Sequence, residues 1–515
     1  MPRRRGCLAT LIISVCAVVV LAIGLVVGGA ALVWSRASTD TTGEVSFTRP
    51  LGIPPLATSH LDAQGRRVFE LTAREGTTDF GTGHPAPTWG FNGDYLGPTL
   101  RAERGERVLV HVRNALPETT TVHWHGMHLP ARMDGGPHQP IAPGQTWSPN
   151  WRIDQPAGTL WYHPHPHGET EEHVNRGLAG MFILDDRRSE SLPLPHRYGV
   201  DDVPVIVQDK SLNGSGRLTS SELGDTIAVN GTVGPHLDVT TERVRLRLLN
   251  ASTKRVYDFG LDDDSAFTLI GTDGGLLPKS QRVRRIQLAP GERANIVVTL
   301  RPGERRVLRS CPPDLGINAI GARFSGGADS FDVLQLRAAD RLTPSPEVPR
   351  TLAPENLREV GTAADSVRTR TFELSGRQIN DQSMDMSRID EVVQVGDTET
   401  WAVTNEGGEP HSFHVHDVQF RVLSVDGAPP PPELSGLKDT VYLREGVTYR
   451  LLLHFTDYAD PDTPYMFHCH MLRHEDEGMM GQFVVVRPGQ TAGSRGDSRP
   501  GEGAGMDGMP GMDHG

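Results

Sequence analysis

Residues 105–114 read GERVLVHVRN, and the same frame returns as TERVRLRLLN at 241–250 and GDTETWAVTN at 396–405. Each run alternates in character and ends at an Asn, namely Asn114, Asn250 and Asn405. Alternation with a period of two is the pattern of a strand that buries one face, and its return in the same ten-residue frame, each time closed by an Asn nine residues on, marks three related units. A second mark recurs downstream as a turn leading into a strand, at Pro143-Gly144, Pro290-Gly291 and Glu445-Gly446. Glycine (57) and proline (39) are abundant, and long runs with a 3.6-residue apolar period are hard to find. The chain therefore reads as all-β with many turns and little helix. Its 515 residues suit three domains of about 100–200 residues each. They are expected at 45–190, 198–340 and 366–488, separated by Pro-rich or polar stretches such as Leu342 to Pro354.

The units differ where chemistry would sit. Nine and eleven residues past the Asn stand His123 and His125 in the first unit and His414 and His416 in the third; the second has Phe259 and Leu261. The outer units share another pair, Tyr162-His163-Pro164-His165 ahead of Gly180-Met181-Phe182 and Phe467-His468-Cys469-His470 ahead of Gly481-Gln482-Phe483. The middle unit lacks both and reads as a spacer. Random placement of 21 histidines gives about one H-x-H pair, whereas the chain holds five. Residues i and i+2 of a strand project from one face, so each pair presents two imidazoles together.

Eight paired histidines exceed a zinc site, which closes at four ligands or keeps three and a water, so several metals must share them. Imidazole alone would permit zinc, nickel, iron or copper. The run HCHMLRHEDEGMM at 468–480 adds a thiolate, another imidazole and a thioether. Cys469, His474 and Met479, joined by His411, make the two-His, one-Cys set with a weak axial Met that suits a blue electron-transfer copper. His468 and His470 point to one side of their strand and Cys469 to the other, so one short peptide joins two metal centres. HSFHVH at 411–416 does likewise, sending His411 to one centre and His414 and His416 to the other.

The segments HWHG, HPHPHG, HSFHVH and HCHMLRHEDEGMM resemble the four copper motifs of the multicopper oxidases. The likeness spans nearly all of the chain after its N-terminal apolar run. HPHPHG followed by GLAGMFILDD, together with HEDEGMM, is similar to the bacterial cuprous oxidases, bilirubin oxidases and laccases. The resemblance implies three cupredoxin-like Greek-key β-sandwich domains, with a trinuclear centre between the first and third. It implies four copper ions. His411, Cys469, His474 and Met479 would hold the type 1 copper, and His123 and His414 the type 2 copper. His125, His163 and His470 would hold one type 3 copper, and His165, His416 and His468 the other. Electrons from a small reducing substrate, whether Cu(I), a phenol, a bilirubin-like compound or an aromatic amine, would reduce O2 to water. Asp134 in MDGGP and Glu475 beside His474 match acidic residues with which the family delivers protons. Met384 and Asp385 sit where some relatives bind substrate, although the long Met-rich insertion of enterobacterial cuprous oxidases is absent here. A copper-storage protein and a non-catalytic scaffold, as in the division-associated branch of the family, are the alternatives; twelve intact ligand positions speak against the scaffold.

The net charge of -13 excludes a nucleic-acid partner, whose phosphates need Lys and Arg to neutralise them. Two of the four cysteines, Cys7 and Cys16, lie in an uncharged run from Cys7 to Trp34 behind Arg3, Arg4 and Arg5. That length and flank predict a transmembrane helix within residues 1–44, with the catalytic domains outside the cell membrane. Cleavage after Ser35-Arg36-Ala37 and secretion is the alternative. Cys311 reads as a buried free thiol, and a monomer is expected. His128, His138, His167 and His173 read as supporting or surface residues, and Trp124 and Trp161 as packing. The tail at 489–515 carries Met506, Met509, Met512 and His514 among Gly and Asp. It is expected to be disordered, with either a Cu(I)-capturing role or none.

Overall fold

The computed structural model describes residues 14, 16, 28, 29 and 31–493. Most of the expected membrane anchor, and the tail with Met506, Met509, Met512 and His514, lie outside the described residues. Among the described residues no helix is long and apolar enough to cross a membrane. Strand outweighs helix by 46% to 10%, which bears out the mostly β reading.

The strands form six sheets in three facing pairs. In the first pair, a six-stranded sheet built on Arg67–Thr78 and Arg107–Asn114 faces a four-stranded sheet ordered Leu100–Glu103, Gly180–Asp185, Thr159–His163, His123–His125. Val108, Val110 and Val112 of the first sheet share one core with Trp124, Leu160 and Phe182 of the second. Each such aliphatic side chain, taken fully out of water, contributes about 1.5–3 kcal/mol. The middle pair is a seven-stranded sheet around Arg243–Asn250 and a six-stranded one. Arg49–Pro50, early in the chain, adds in parallel to the middle unit through Pro235 and His236. The third pair sets a six-stranded sheet with Thr398–Asn405 against a five-stranded sheet. The latter runs Glu391–Gln394, Met480–Val486, Asp460–Cys469, His411–Val415, Thr440–Leu443.

The two repeated sequence marks meet in space. The side-chain amide of Asn114 donates to the carbonyls of Glu118 and Ile141, and its Oδ1 accepts from the Leu116 N–H. Asn250 does the same with Arg255, Leu288 and Ser252, and Asn405 with Glu409, Leu443 and Gly407. The carbonyl of each Asn accepts from the turn glycine, Gly144, Gly291 or Gly446, at 2.8, 2.9 and 2.8 Å. These glycines have φ of +78°, +85° and +68°, a region L side chains seldom adopt. The Asn thus fixes the loop from which the next strand departs. In the outer units that strand carries histidines; in the middle unit it carries Phe259 and Leu261, both in the core.

Candidate metal centre

Sheet register decides which histidines meet. His163 pairs across the ladder with His123 in the first unit, and His414 with His468 in the third. The two four-His blocks then interleave. The His123 ring stacks on His416 and the His125 ring on His414, both at 3.8 Å between centroids. The Nε2 atoms of His123 and His414 lie 3.4 Å apart, those of His165 and His468 3.2 Å, and those of His416 and His468 3.3 Å. His470 completes the cluster beside His125 and His163, at 4.9 and 5.4 Å between ring centroids. All eight imidazoles are buried.

Hydrogen bonds at the back of each ring fix its orientation. Nδ1 faces the carbonyl of Pro164 in His163, of Asp439 in His414, of Asp134 in His123 and of Cys469 in His468, at 2.8–3.2 Å. In His416 it faces Asp134 Oδ2 at 2.7 Å. Carbonyls and carboxylates only accept, so the proton sits on Nδ1 and the Nε2 lone pair is left toward the cluster. His125 is turned the other way. Its Nε2 lies 3.0 Å from Asp439 Oδ1 and 3.1 Å from Thr440 Oγ1, and its Nδ1 faces His163 Nε2.

On the opposite side of the His468–His470 strand, Cys469 Sγ lies 3.6 Å from the Nδ1 atoms of both His411 and His474. Those two nitrogens are 3.2 Å apart. Met479 is buried in the same core, and its carbonyl accepts from the Cys469 N–H at 3.1 Å. Burial pushes the Cys469 thiol up to about 12. The same burial, followed by repulsion among neighbouring rings, holds His125, His163, His414, His416 and His470 well below the usual histidine range. Both nitrogens of His470 and the Nε2 atoms of His411 and His474 are buried without a hydrogen-bond partner. Neutral imidazoles with open lone pairs, converging in threes with a cysteine beside them, fit soft, imidazole-preferring metal ions. Protein polar groups alone would leave them unsatisfied at a cost of about 1–3 kcal/mol each.

Both sequence-derived carboxylates reach the cluster. Asp134, besides its bond to His416, has Oδ1 3.4 Å from His123 Nδ1. It sits on a turn that requires glycine next to it, because a Cβ on Gly135 would lie 1.7 Å from the Val122 carbonyl oxygen. Glu475 lies on the other flank, 3.2 Å from His165 Nδ1 and 3.1 Å from His468 Nδ1. Asp134 Oδ1 and both Glu475 oxygens are buried without a hydrogen-bond partner; burial opposes the Glu475 charge, but the His165 and His468 rings beside it hold its carboxyl well below the usual carboxylate range.

The sequence reading missed Asp439 and Arg293. Buried Arg293 of the middle unit donates to both Asp439 oxygens at 2.6 Å and to the first unit's Thr159 carbonyl at 2.9 Å. A Cβ on Gly291 would sit 3.1 Å from the His470 ring. The expected spacer therefore abuts the cluster and holds the carboxylate that orients His125. The signal was present as a charged residue opening a mostly apolar strand, RANIVVT at Arg293–Thr299.

Of the remaining candidates, Trp124 packs among Trp151, Tyr162 and Phe182. Trp161 instead stacks on His163 at 4.1 Å and borders His125 and His470. His128 joins the outer units through Asp417 at 2.8 Å and Asp457 at 2.7 Å. His173 is buried against Thr120, His138 bonds Gln482, and His167 is exposed. Cys311 is a free thiol, half-buried rather than buried. Met384, half-buried, donates its N–H to the Gly478 carbonyl at 2.8 Å, so its loop lies against the one carrying His474 and Met479; Asp385 is exposed.

Such a cysteine-linked pair of histidine sites defines a copper protein, and comparison with known proteins gives its family. Residues 72–189, 194–306 and 352–489 each match the family described as multicopper oxidase. A multicopper oxidase of Staphylococcus haemolyticus is 34% identical over 444 residues, 84% of this chain and 92% of its own. The cell division protein FtsP of Escherichia coli is 36% identical over 447 residues, 85% and 93% of the two chains. The crystal structure of a laccase from Pediococcus acidilactici superposes with a TM-score of 0.77 at 33% identity, covering 86% of this chain and 94% of that one. The chain belongs to the multicopper oxidase family, and is a copper-dependent oxidoreductase with O2 as acceptor.

Proposed function

We propose that the protein couples one-electron oxidation of a small donor at a copper held by His411, Cys469, His474 and Met479 to O2 reduction at three coppers held by the eight clustered histidines. The carrying observation is the alternation at His468–Cys469–His470, which puts Sγ 3.6 Å from two imidazoles on one side and two cluster histidines on the other. Copper bound there supplies single-electron acceptance and, at the cluster, four-electron reduction of O2 to water. The groupings support His123 with His414, His125 with His163 and His470, and His165 with His416 and His468, in three cupredoxin-like domains. The chain's own part is then definite. The Cys469 backbone is the covalent path from thiolate to imidazoles. Asp134 holds the Nδ1 proton of His416, Glu475 stands at the Nδ1 atoms of His165 and His468, and both can pass protons to the cluster.

The donor meets the His474 edge. Glu409, half exposed, places Oε2 3.8 Å from His474 Nε2, and Arg377 bridges Glu409 to Glu477. A carboxylate there accepts the proton that a phenol or aromatic amine sheds on oxidation, and it attracts Cu(I). The Met384 loop beside it supports Cu(I) among the donors, and with it a role in copper tolerance. The uncharged run behind Arg3–Arg5 supports placement outside the cell membrane. Oxygen uptake by copper-loaded protein with Cu(I), a methoxyphenol and bilirubin tests the reading. We expect uptake with at least one donor, and loss of both uptake and blue colour in Cys469→Ser. Full copper loading with no uptake from any donor would favour a scaffold, the reading that the FtsP relatives support.

A further inference from the structure

Away from the copper ligands, a cavity of about 540 Å³ opens where the segments joining the units pass each other. Its lining includes Arg101 of the first unit, the connecting residues Leu194 and Arg197, Arg245 and Arg247 of the middle unit, and Pro344 beyond it. None of the twelve proposed copper ligands lines it.

The charges inside do not balance pair by pair. Arg247 takes both oxygens of the buried Asp202, at 2.7 and 2.8 Å. Arg245, also buried, is left 3.7 Å from Asp202 Oδ1, and among the described residues its guanidinium hydrogen-bonds only to the neutral Asn295 Oδ1, at 3.1 and 3.3 Å. Of the other carboxylates nearby, Asp185 is committed to Arg101 and Asp201 to Arg197, while Glu190 stands exposed on the cavity lining and makes no ion pair with Arg245. Burial first, and then the neighbouring Arg247, pull the Arg245 guanidinium down to about 9, as expected of a cation short of counter-charge. A buried ion with incomplete pairing is costly, and an anion brought to it recovers that cost.

We propose that this cavity is a binding site for a small organic carboxylate. A guanidinium fork matches a carboxylate with two parallel N–H···O bonds; Arg245 supplies the fork, and the free ends of Arg101 and Arg197 flank it. Leu194 and Pro344 form an apolar wall for the body of the ligand. The volume lies within the range of about 300–1,000 Å³ that small-molecule sites occupy. The bound ligand bridges the segments at 192–197 and 343–346, and so fastens the connections on both sides of the middle unit.

Calorimetry on the copper-loaded full chain, with benzoate as probe and benzamide as its neutral counterpart, tests this. Saturable benzoate binding is expected, weakened at least tenfold for benzamide and at least tenfold in Arg245→Gln. Both proteins keep the same copper ligands, so any carboxylate taken by copper is common to the two and cancels. Hydrogen exchange should slow at 192–197 and 343–346 when benzoate binds the natural chain. If Arg245→Gln does not fold, Arg197→Gln, at a half-exposed residue, should weaken benzoate several-fold. Equal affinity for benzamide, unchanged affinity in the variants, unchanged exchange at the two segments, or tighter binding of inorganic phosphate than of benzoate would each overturn the assignment.

Discussion

Asp439 shows how one residue ties three units to one metal site. Its Oδ1 fixes the His125 proton on Nε2, its backbone carbonyl orients His414, and Arg293 neutralises it. Removing the guanidinium leaves a buried carboxylate unpaired, which costs about 3–5 kcal/mol. Arg293→Gln should therefore lower unfolding stability by that order in urea titrations and reduce copper retained at the cluster, while the Cys469 site keeps its blue absorption. Loss of the blue band with the cluster coppers intact would contradict this. Glu475 tests a different property, because it touches ligand imidazoles and no donor. Glu475→Gln should keep the blue colour and slow reoxidation by O2 about 10²-fold, the scale of a lost proton-transfer group; undiminished reoxidation in stopped flow would remove Glu475 from proton delivery.

At the scale of the element, the repeated Asn and its turn glycine form one device used three times. Asn114, Asn250 and Asn405 each bury an amide that makes three side-chain hydrogen bonds, so alanine at any of them should cost about 2–4 kcal/mol. The consequences diverge by what the next strand carries. Asn405→Ala loosens the loop before His411 and should broaden or shift the blue band, whereas Asn250→Ala, before Phe259 and Leu261, should lower the melting temperature and leave that band alone. Equal spectral change in both would refute the device. This part of the fold was legible because period-two alternation, turn glycines and H-x-H spacing are local in sequence. Cys469 and its flanking histidines were legible for the same reason, since the pleat alone sends them to opposite faces. The Arg293–Asp439–His125 chain was not, because its members are 146 and 314 residues apart and meet only through packing of three units. Trp161 escaped likewise: its sequence neighbours suggest a core strand, and only the register against His123–His125 places it on cluster imidazoles.

Across the whole molecule, the cluster exists only while the first and third units stay docked, and His128 is one of the clamps. It lies between Asp417 and Asp457 of the third unit. Burial works against its cation, but the two carboxylates outweigh burial and raise the group from 6.5 to about 10. A group raised on folding adds stability that is fully present below its unfolded value and is lost as pH climbs through its folded one. The clamp should thus stabilise the docked protein by about 2–4 kcal/mol at pH 6, discounted for solvent around half-exposed Asp457. It should fade between about pH 7 and 10. His128→Gln should be less stable than the natural chain at pH 6 by that amount, and the gap should close above pH 10. Denaturant unfolding across this range measures it; a gap independent of pH would mean that His128 acts through packing, and that the charge between the outer units does not hold the cluster together.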